Sequence, residues 1–150
     1  MSEEGGGSGA PEASGAAPVR VRVNVDGGAR GNPGPAAIGA VVCDEDGNEL
    51  LAEGRTIGEA TNNVAEYRAL LYGIELAERL GAGAVELIGD SELIVRQVEG
   101  RYKVKDSGLR ELHGQVREAL KAFDEWSIRH VRREHNAAAD ALVNQALDAA

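Results

Sequence analysis

The stretch Val19-Arg20-Val21-Arg22-Val23-Asn24-Val25-Asp26 alternates a β-branched apolar residue with a polar one and stops at an acid. A period of two belongs to a strand with one buried face, and here it puts Asp26 at the strand's carboxyl end. Ala37 to Cys43 and Glu49 to Ile57 read as two further strands, joined through Asp44-Glu45-Asp46-Gly47-Asn48, whose Asp-Gly pair suits a hairpin. These three strands are expected to be antiparallel neighbours. From Val64 to Leu80 the residues Leu70, Leu71, Ile74, Ala77 and Leu80 recur at helical spacing, with Gly81 placed as a C-terminal cap. Ala84 to Gly89 reads as a short buried strand ending at Asp90, and Ser91 to Val98 as a helix stopped by Gly100. Leu109, Leu112, Val116, Leu120 and Phe123 mark a long amphipathic helix, Trp126 to Val131 a last strand, and Asn136 the cap of a final helix carrying Leu142, Val143 and Leu147. Helical crossovers favour parallel pairing among the first, fourth and fifth strands. The class is therefore α/β: a mixed five-stranded sheet, three antiparallel strands and then parallel ones, flanked by helices.

A chain of 150 residues with 43% apolar content is enough for one compact domain. Residues 1–18 are Gly, Ala, Ser, Pro and Glu after the initial Met, and lack the apolar surface needed to offset ordering, so a disordered acidic tail is expected before a domain at 19–150. No apolar segment follows Met1, and no run approaches the roughly 18 apolar residues of a membrane span. A soluble cytoplasmic protein without membrane contact is expected, and the single Cys43, read as a small buried hydrophobe, agrees with a reducing compartment. The net charge is −9, of which Glu3, Glu4 and Glu12 carry three, so net positive charge does not hold a partner. Nucleic acid is still admissible, because cations held by clustered acids reverse the local field where phosphate approaches.

Four acids stand out by position. Asp26 and Asp90 each follow a predicted parallel strand, the edge where open α/β sheets bind ligands. Glu66 extends the stripe of Leu70 and Ile74 and points inward from the first turn of its helix. Asp140 does the same ahead of Val143, Asn144 and Leu147. Each has a local alternative: Asn63 with Glu66 fits a capping box, Asp90-Ser91 an N-cap, and Asp26 before Gly27-Gly28 the start of a turn. Two like charges about 4 Å apart repel by roughly 4 kcal/mol at an effective dielectric near 20, so four ionised acids in one place need cations. Oxygen-only ligands point to magnesium or manganese, and two such ions can activate a water and stabilise the leaving oxygen of a phosphodiester.

The words around these acids are more specific than their spacing. Asp26-Gly-Gly-Ala-Arg-Gly-Asn-Pro-Gly-Pro, Thr61-Asn-Asn-Val-Ala-Glu-Tyr-Arg-Ala-Leu, Gly89-Asp-Ser-Glu-Leu-Ile-Val-Arg-Gln and Asn136-Ala-Ala-Ala-Asp-Ala-Leu together resemble ribonuclease H of type 1, over residues 19 to 148. The resemblance implies a ribonuclease H-like fold and an endoribonuclease that cuts the RNA strand of RNA/DNA hybrids, leaving 5′-phosphate and 3′-hydroxyl. It implies two Mg2+ or Mn2+ ions, with Asp26 bridging both, Glu66 and Asp90 completing one shell and Asp140 holding the other. Asn32, Asn62 and Asn63 occupy positions that in the family touch the hybrid, where amides suit the 2′-hydroxyl that distinguishes RNA; the same residues also serve turn and cap chemistry. A monomer is expected.

Three departures accompany the match. The family's loop histidine falls on His130, inside a predicted strand, so that loop looks shortened; His135, nearer Asp140, reads as a surface residue. The basic protrusion of some relatives is replaced by Gly100 to Gly108, with only Arg101, Lys103 and Lys105, which with Arg132 and Arg133 are either phosphate contacts or a solvated charged face. Glu92 stands where glutamine is common. The pattern resembles the compact form of the family found in archaea and some bacteria. Rival readings are a metal-dependent 3′ exonuclease, against which stands Asp26-Gly27-Gly28 in place of Asp-x-Glu, and a catalytically silent hybrid-binding module, against which stands the retention of all four acids.

Overall fold

The computed structural model describes residues 19–150, so the expected tail at 1–18 lies outside the described residues. The described chain runs through β1 (Arg20–Ala29), β2 (Gly34–Asp44), β3 (Glu49–Ala60), α1 (Asn62–Arg79), β4 (Ala84–Gly89), α2 (Glu92–Glu99), α3 (Ser107–Leu120), β5 (Glu125–His130), a 3-10 turn at Arg133–His135 and α4 (Ala137–Ala149). The strand order is β3-β2-β1-β4-β5. β1 pairs antiparallel with β2 and β2 with β3, while β4 runs parallel to β1 and to β5. This is the mixed sheet that the sequence predicts.

Alternation along β1 sets the layers. Val21, Val23 and Val25 are buried and face α1, where Gly73 lies so close that a Cβ would sit 2.7 Å from a Val25 methyl. With Ile38, Tyr67, Ile74, Leu87, Ile94, Val116 and Ile128 they form the core. α4 covers the opposite face of β1, β2 and β3. The β2–β3 hairpin closes on Asp44, whose Oδ1 accepts from the Asp46 and Asn48 N–H groups at 2.9 Å each; these bonds hold its pKa below the ordinary value. Gly81 and Gly100 have positive φ and follow α1 and α2 as predicted. Among the described residues, no helix is long and apolar enough to cross a membrane.

Some details differ from the sequence reading. Val19 is 59% exposed, because ladder pairing with β4 starts only at Arg20 and leaves Val19 at the sheet's margin. α3 stops at Leu120, and Phe123 reaches the core from the turn that follows. Cys43 is half-buried rather than buried, being one residue before Asp44, which ends β2 at the hairpin turn.

Candidate active site

β1 does not end at Asp26. Its parallel ladder with β4 stops at Asn24↔Ile88, but the strand continues against β2 as far as Ala29↔Ala36, so Asp26 belongs to the strand and does not open a turn. β4 leaves the sheet at Gly89, and Asp90 follows as the chain bends towards α2. Ser91, not Asp90, caps α2 by accepting from the Ile94 N–H at 3.4 Å. At α1 the cap is Thr61, whose Oγ1 accepts from the Val64 N–H at 3.2 Å, so the capping box on Asn63 does not form. α1 therefore begins two residues earlier than predicted, and Glu66 lies past its first turn. Its Oε1 accepts from the Gly27 N–H of β1 at 2.7 Å. Asp140 is in the first turn of α4, as predicted.

Two glycines make this convergence possible. A Cβ on Gly27 would stand 2.2 Å from the Ala65 carbonyl oxygen, and one on Gly39 would stand 2.8 Å from that of Ala139. Asp26 pairs with Gly39 and adjoins Gly27, so α1 and α4 approach the sheet from opposite faces on either side of the same residue. Side chains at these positions would push away the helices bearing Glu66 and Asp140. In sequence Gly27 reads as a turn former and Gly39 carries no evident role; a glycine inside a strand is the signal of such a close approach.

Asp26, Glu66 and Asp90 each offer a carboxylate oxygen, and the three lie within 4.8 Å of one another. Asp140 lines the same groove and is near enough to Asp26 to add to the upward push on its pKa. Asp26 is 7% exposed. Burial first, then the charge of Asp90 and the bond to Asp140, push its pKa up from 3.8 to about 7. Glu66 is pushed well above the ordinary carboxylate range by burial and then by Asp26, with the Gly27 N–H opposing the shift. Such repulsion among oxygen-only donors is what a hard divalent cation relieves, so the residues present fit one. Arg133 is the cation nearest Asp140 in the groove, with Nη2 3.6 Å from Asp140 Oδ1. An open groove of about 400 Å3 runs over the four acids and is also lined by Arg30, Asn62, Asn63, Ser91, Arg133 and Asn144.

The raised pKa of Asp26 has a stability consequence of definite sign. An acid whose folded pKa exceeds its unfolded one favours the folded state below the unfolded pKa, and this contribution disappears as pH climbs through the folded value. Metal-free protein is thus expected to melt lower at pH 8 than at pH 5, with Mg2+ recovering stability at pH 8. Thermal melts in EDTA and in Mg2+ at the two pH values check this; a melting point that rose with pH in EDTA would contradict it.

Asn32 and Asn62 are exposed, and each spends its amide oxygen internally. Asn32 Oδ1 accepts from the Asn62 N–H at 3.0 Å and Asn62 Oδ1 from the Ala29 N–H at 2.9 Å, which locks the β1–β2 turn to the start of α1 and leaves both NH2 groups as donors. Asn62 and Asn63 line the groove over the acids, whereas Asn32 lines a separate hollow that it shares with Asn63. His130 lies within β5 and His135 is exposed in the 3-10 turn. Arg132 pairs with Glu134 at 3.9 Å and Arg101 with Glu99 at 3.6 Å, whereas Lys103 and Lys105 form no ion pair among the described residues. Glu92 is exposed and pairs with Arg96 at 3.6 Å. Asn136 caps nothing with its side chain, because its amide is used inside the site.

A family model described as reverse transcriptase-like matches residues 24–146. Ribonuclease HI of Halobacterium salinarum is 49% identical over 129 residues, which cover 86% of this chain; the chain spans 65% of that relative's length. The crystal structure of RNase H1 from Halobacterium salinarum NRC-1 superposes with a TM-score of 0.86 at 49% identity, covering 87% of this chain and 99% of that one. LC11-RNase H1, solved in complex with an RNA/DNA hybrid, superposes with a TM-score of 0.82 at 46% identity, covering 86% of this chain and 97% of that one. With that family model matching residues 24–146 and these relatives aligning over most of the described residues, the chain belongs to the reverse transcriptase-like family, in its ribonuclease HI group.

Proposed function

We propose that this protein is an endoribonuclease that hydrolyses the RNA strand of RNA/DNA hybrids, leaving 5′-phosphate and 3′-hydroxyl ends, with the 19–150 domain as its catalytic unit. The observation that carries the proposal is the convergence of Asp26, Glu66 and Asp90, with Asp140 alongside, in a fold shared with a relative solved on such a hybrid. Asp26, Glu66 and Asp90 would hold one Mg2+ or Mn2+, and Asp26 with Asp140 a second. When bound, such ions supply activation of a water and charge stabilisation at the leaving oxygen of the phosphodiester.

The chain's own residues prepare the rest. Burial and the neighbouring carboxylates hold the Asp26 proton up to about pH 7, so a cation competes with that proton below neutrality and meets the ionised carboxylate above it. The Asn62 amide group, fixed by its oxygen, offers N–H donors to sugar hydroxyls along the groove, where Asn63 joins it, and Asn32 offers its own from the hollow that it shares with Asn63. Arg133 screens Asp140 and stands where an incoming phosphate would find a positive charge. Action as a monomer in the cytoplasm completes the reading, and the unpaired Cys43 agrees with a reducing compartment.

A hybrid whose RNA carries a blocked 3′ end tests the reaction type. The enzyme should cut it internally, and should prefer a DNA duplex with a run of four ribonucleotides over one with a single embedded ribonucleotide. Failure on the blocked end would favour the 3′ exonuclease, and binding without cleavage the silent module.

A further inference from the structure

Asn136 is the least exposed of the buried polar residues described, at 2%. It stands where a helix cap is expected and makes no capping bond. Its Nδ2 instead donates to the Val25 carbonyl at 2.9 Å and to Asp90 Oδ2 at 3.0 Å, and its Oδ1 accepts from Asn24 Nδ2 at 3.0 Å. The amide orientation follows from the partners: a backbone carbonyl and a carboxylate both require a donor, so the nitrogen faces them. Both amide protons are used, and the oxygen is held from the other side.

The main chain of Asn136 adds a fourth hydrogen bond. Its carbonyl accepts from the Asp140 N–H at 3.1 Å. One buried residue thus touches Asp90 directly, Asp140 through the backbone of α4, and the residue next to Asp26 in β1. A carboxylate with one oxygen held in this way no longer turns freely about its Cβ–Cγ bond, so Asp90 presents a fixed edge to Asp26 and Glu66. Without such a hold, the repulsion among the acids would turn Asp90 towards solvent.

We infer that Asn136 is a positioning residue for the metal centre: it fixes the orientation of Asp90 and the spacing of Asp90, Asp26 and Asp140 before any cation arrives, and Asn24 holds its amide in place. This rests on the reading that the four acids bind divalent cations. Partners of metal ligands characteristically affect metal affinity or activity by about 10–100-fold.

The test is Mn2+ binding to folded protein without substrate, followed by electron paramagnetic resonance, beside the Mn2+ dependence of hybrid cleavage. Asn136→Ala should weaken Mn2+ binding by about 10–100-fold and lower kcat at limiting metal, with recovery as Mn2+ is raised and KM for the hybrid changed by less than about threefold. Asn24→Ala, which leaves Asp90 and Asn136 in place, should move Mn2+ affinity in the same direction by about threefold. A purely structural role would lower the melting temperature and leave the Mn2+ affinity of the folded protein unchanged. Wild-type affinity in both variants, or in Asn24→Ala alone if Asn136→Ala does not fold, overturns the inference while the nuclease reading stands. Wild-type protein that binds no Mn2+ overturns both.

Discussion

In Asp26→Asn, cleavage of hybrid RNA should fall by at least about 1000-fold, while the metal-free protein should become more stable at pH 8 by on the order of 3 kcal/mol. The two effects have one cause. Asp26 is buried among Glu66, Asp90 and Asp140, and burial with their charge pushes its pKa up to about 7, so the folded protein resists its ionisation. Asparagine has the same shape, carries no charge and donates a hydrogen bond to the neighbouring carboxylates, so the fold gains. A cation loses the ligand shared by both halves of the cluster, so the chemistry is lost. Activity and melting temperature moving in opposite directions is the signature of a site that strains the fold for function. If Asp26 served only the fold, both would fall together; cleavage assays and melts in EDTA on the same preparation decide between these outcomes.

Gly27→Ala should cost about 3 kcal/mol or more, lower the melting temperature by roughly 10 °C and remove cleavage. Its Cβ would meet the carbonyl oxygen of Ala65 at 2.2 Å and the Glu66 nitrogen at 2.8 Å, and both are backbone atoms of α1 with no rotamer to change. The start of α1 would have to lift from the sheet, which breaks the Gly27 N–H bond to Glu66. Gly28→Ala is the control, since its Cβ meets nothing within 4 Å, and its stability should stay within about 1 kcal/mol of wild type. Equal melting temperatures for the two variants would remove the close-approach argument.

Much of this architecture is legible in the chain. The valines of β1, the Asp-Gly hairpin and the crossovers are local patterns, and they suffice for a sheet with parallel pairing after three antiparallel strands. The inward direction of Glu66 and Asp140 follows from helical stripes. What escaped was decided between distant segments. Asn136 has the composition and position of a cap, and only the arrival of Val25, Asp90 and Asn24 around it turns its amide inward. Thr61 outcompetes Asn63 as the cap of α1, which frees Glu66 to meet Gly27. The end of β1 was misplaced for a similar reason: glycines read as turn formers, whereas Gly27 and Gly28 extend the strand because β2 supplies ladder partners as far as Ala36. The substrate reading came from motif words, since acid spacing alone carries no information about RNA.

The most direct measurement of the central claim is cleavage of an RNA/DNA hybrid by the wild-type protein in Mg2+, in Mn2+ and in EDTA. The arrangement of Asp26, Glu66, Asp90 and Asp140 predicts internal cuts in the RNA strand with either cation and none in EDTA. Cutting that persists in EDTA, or no cutting with either ion, would contradict it.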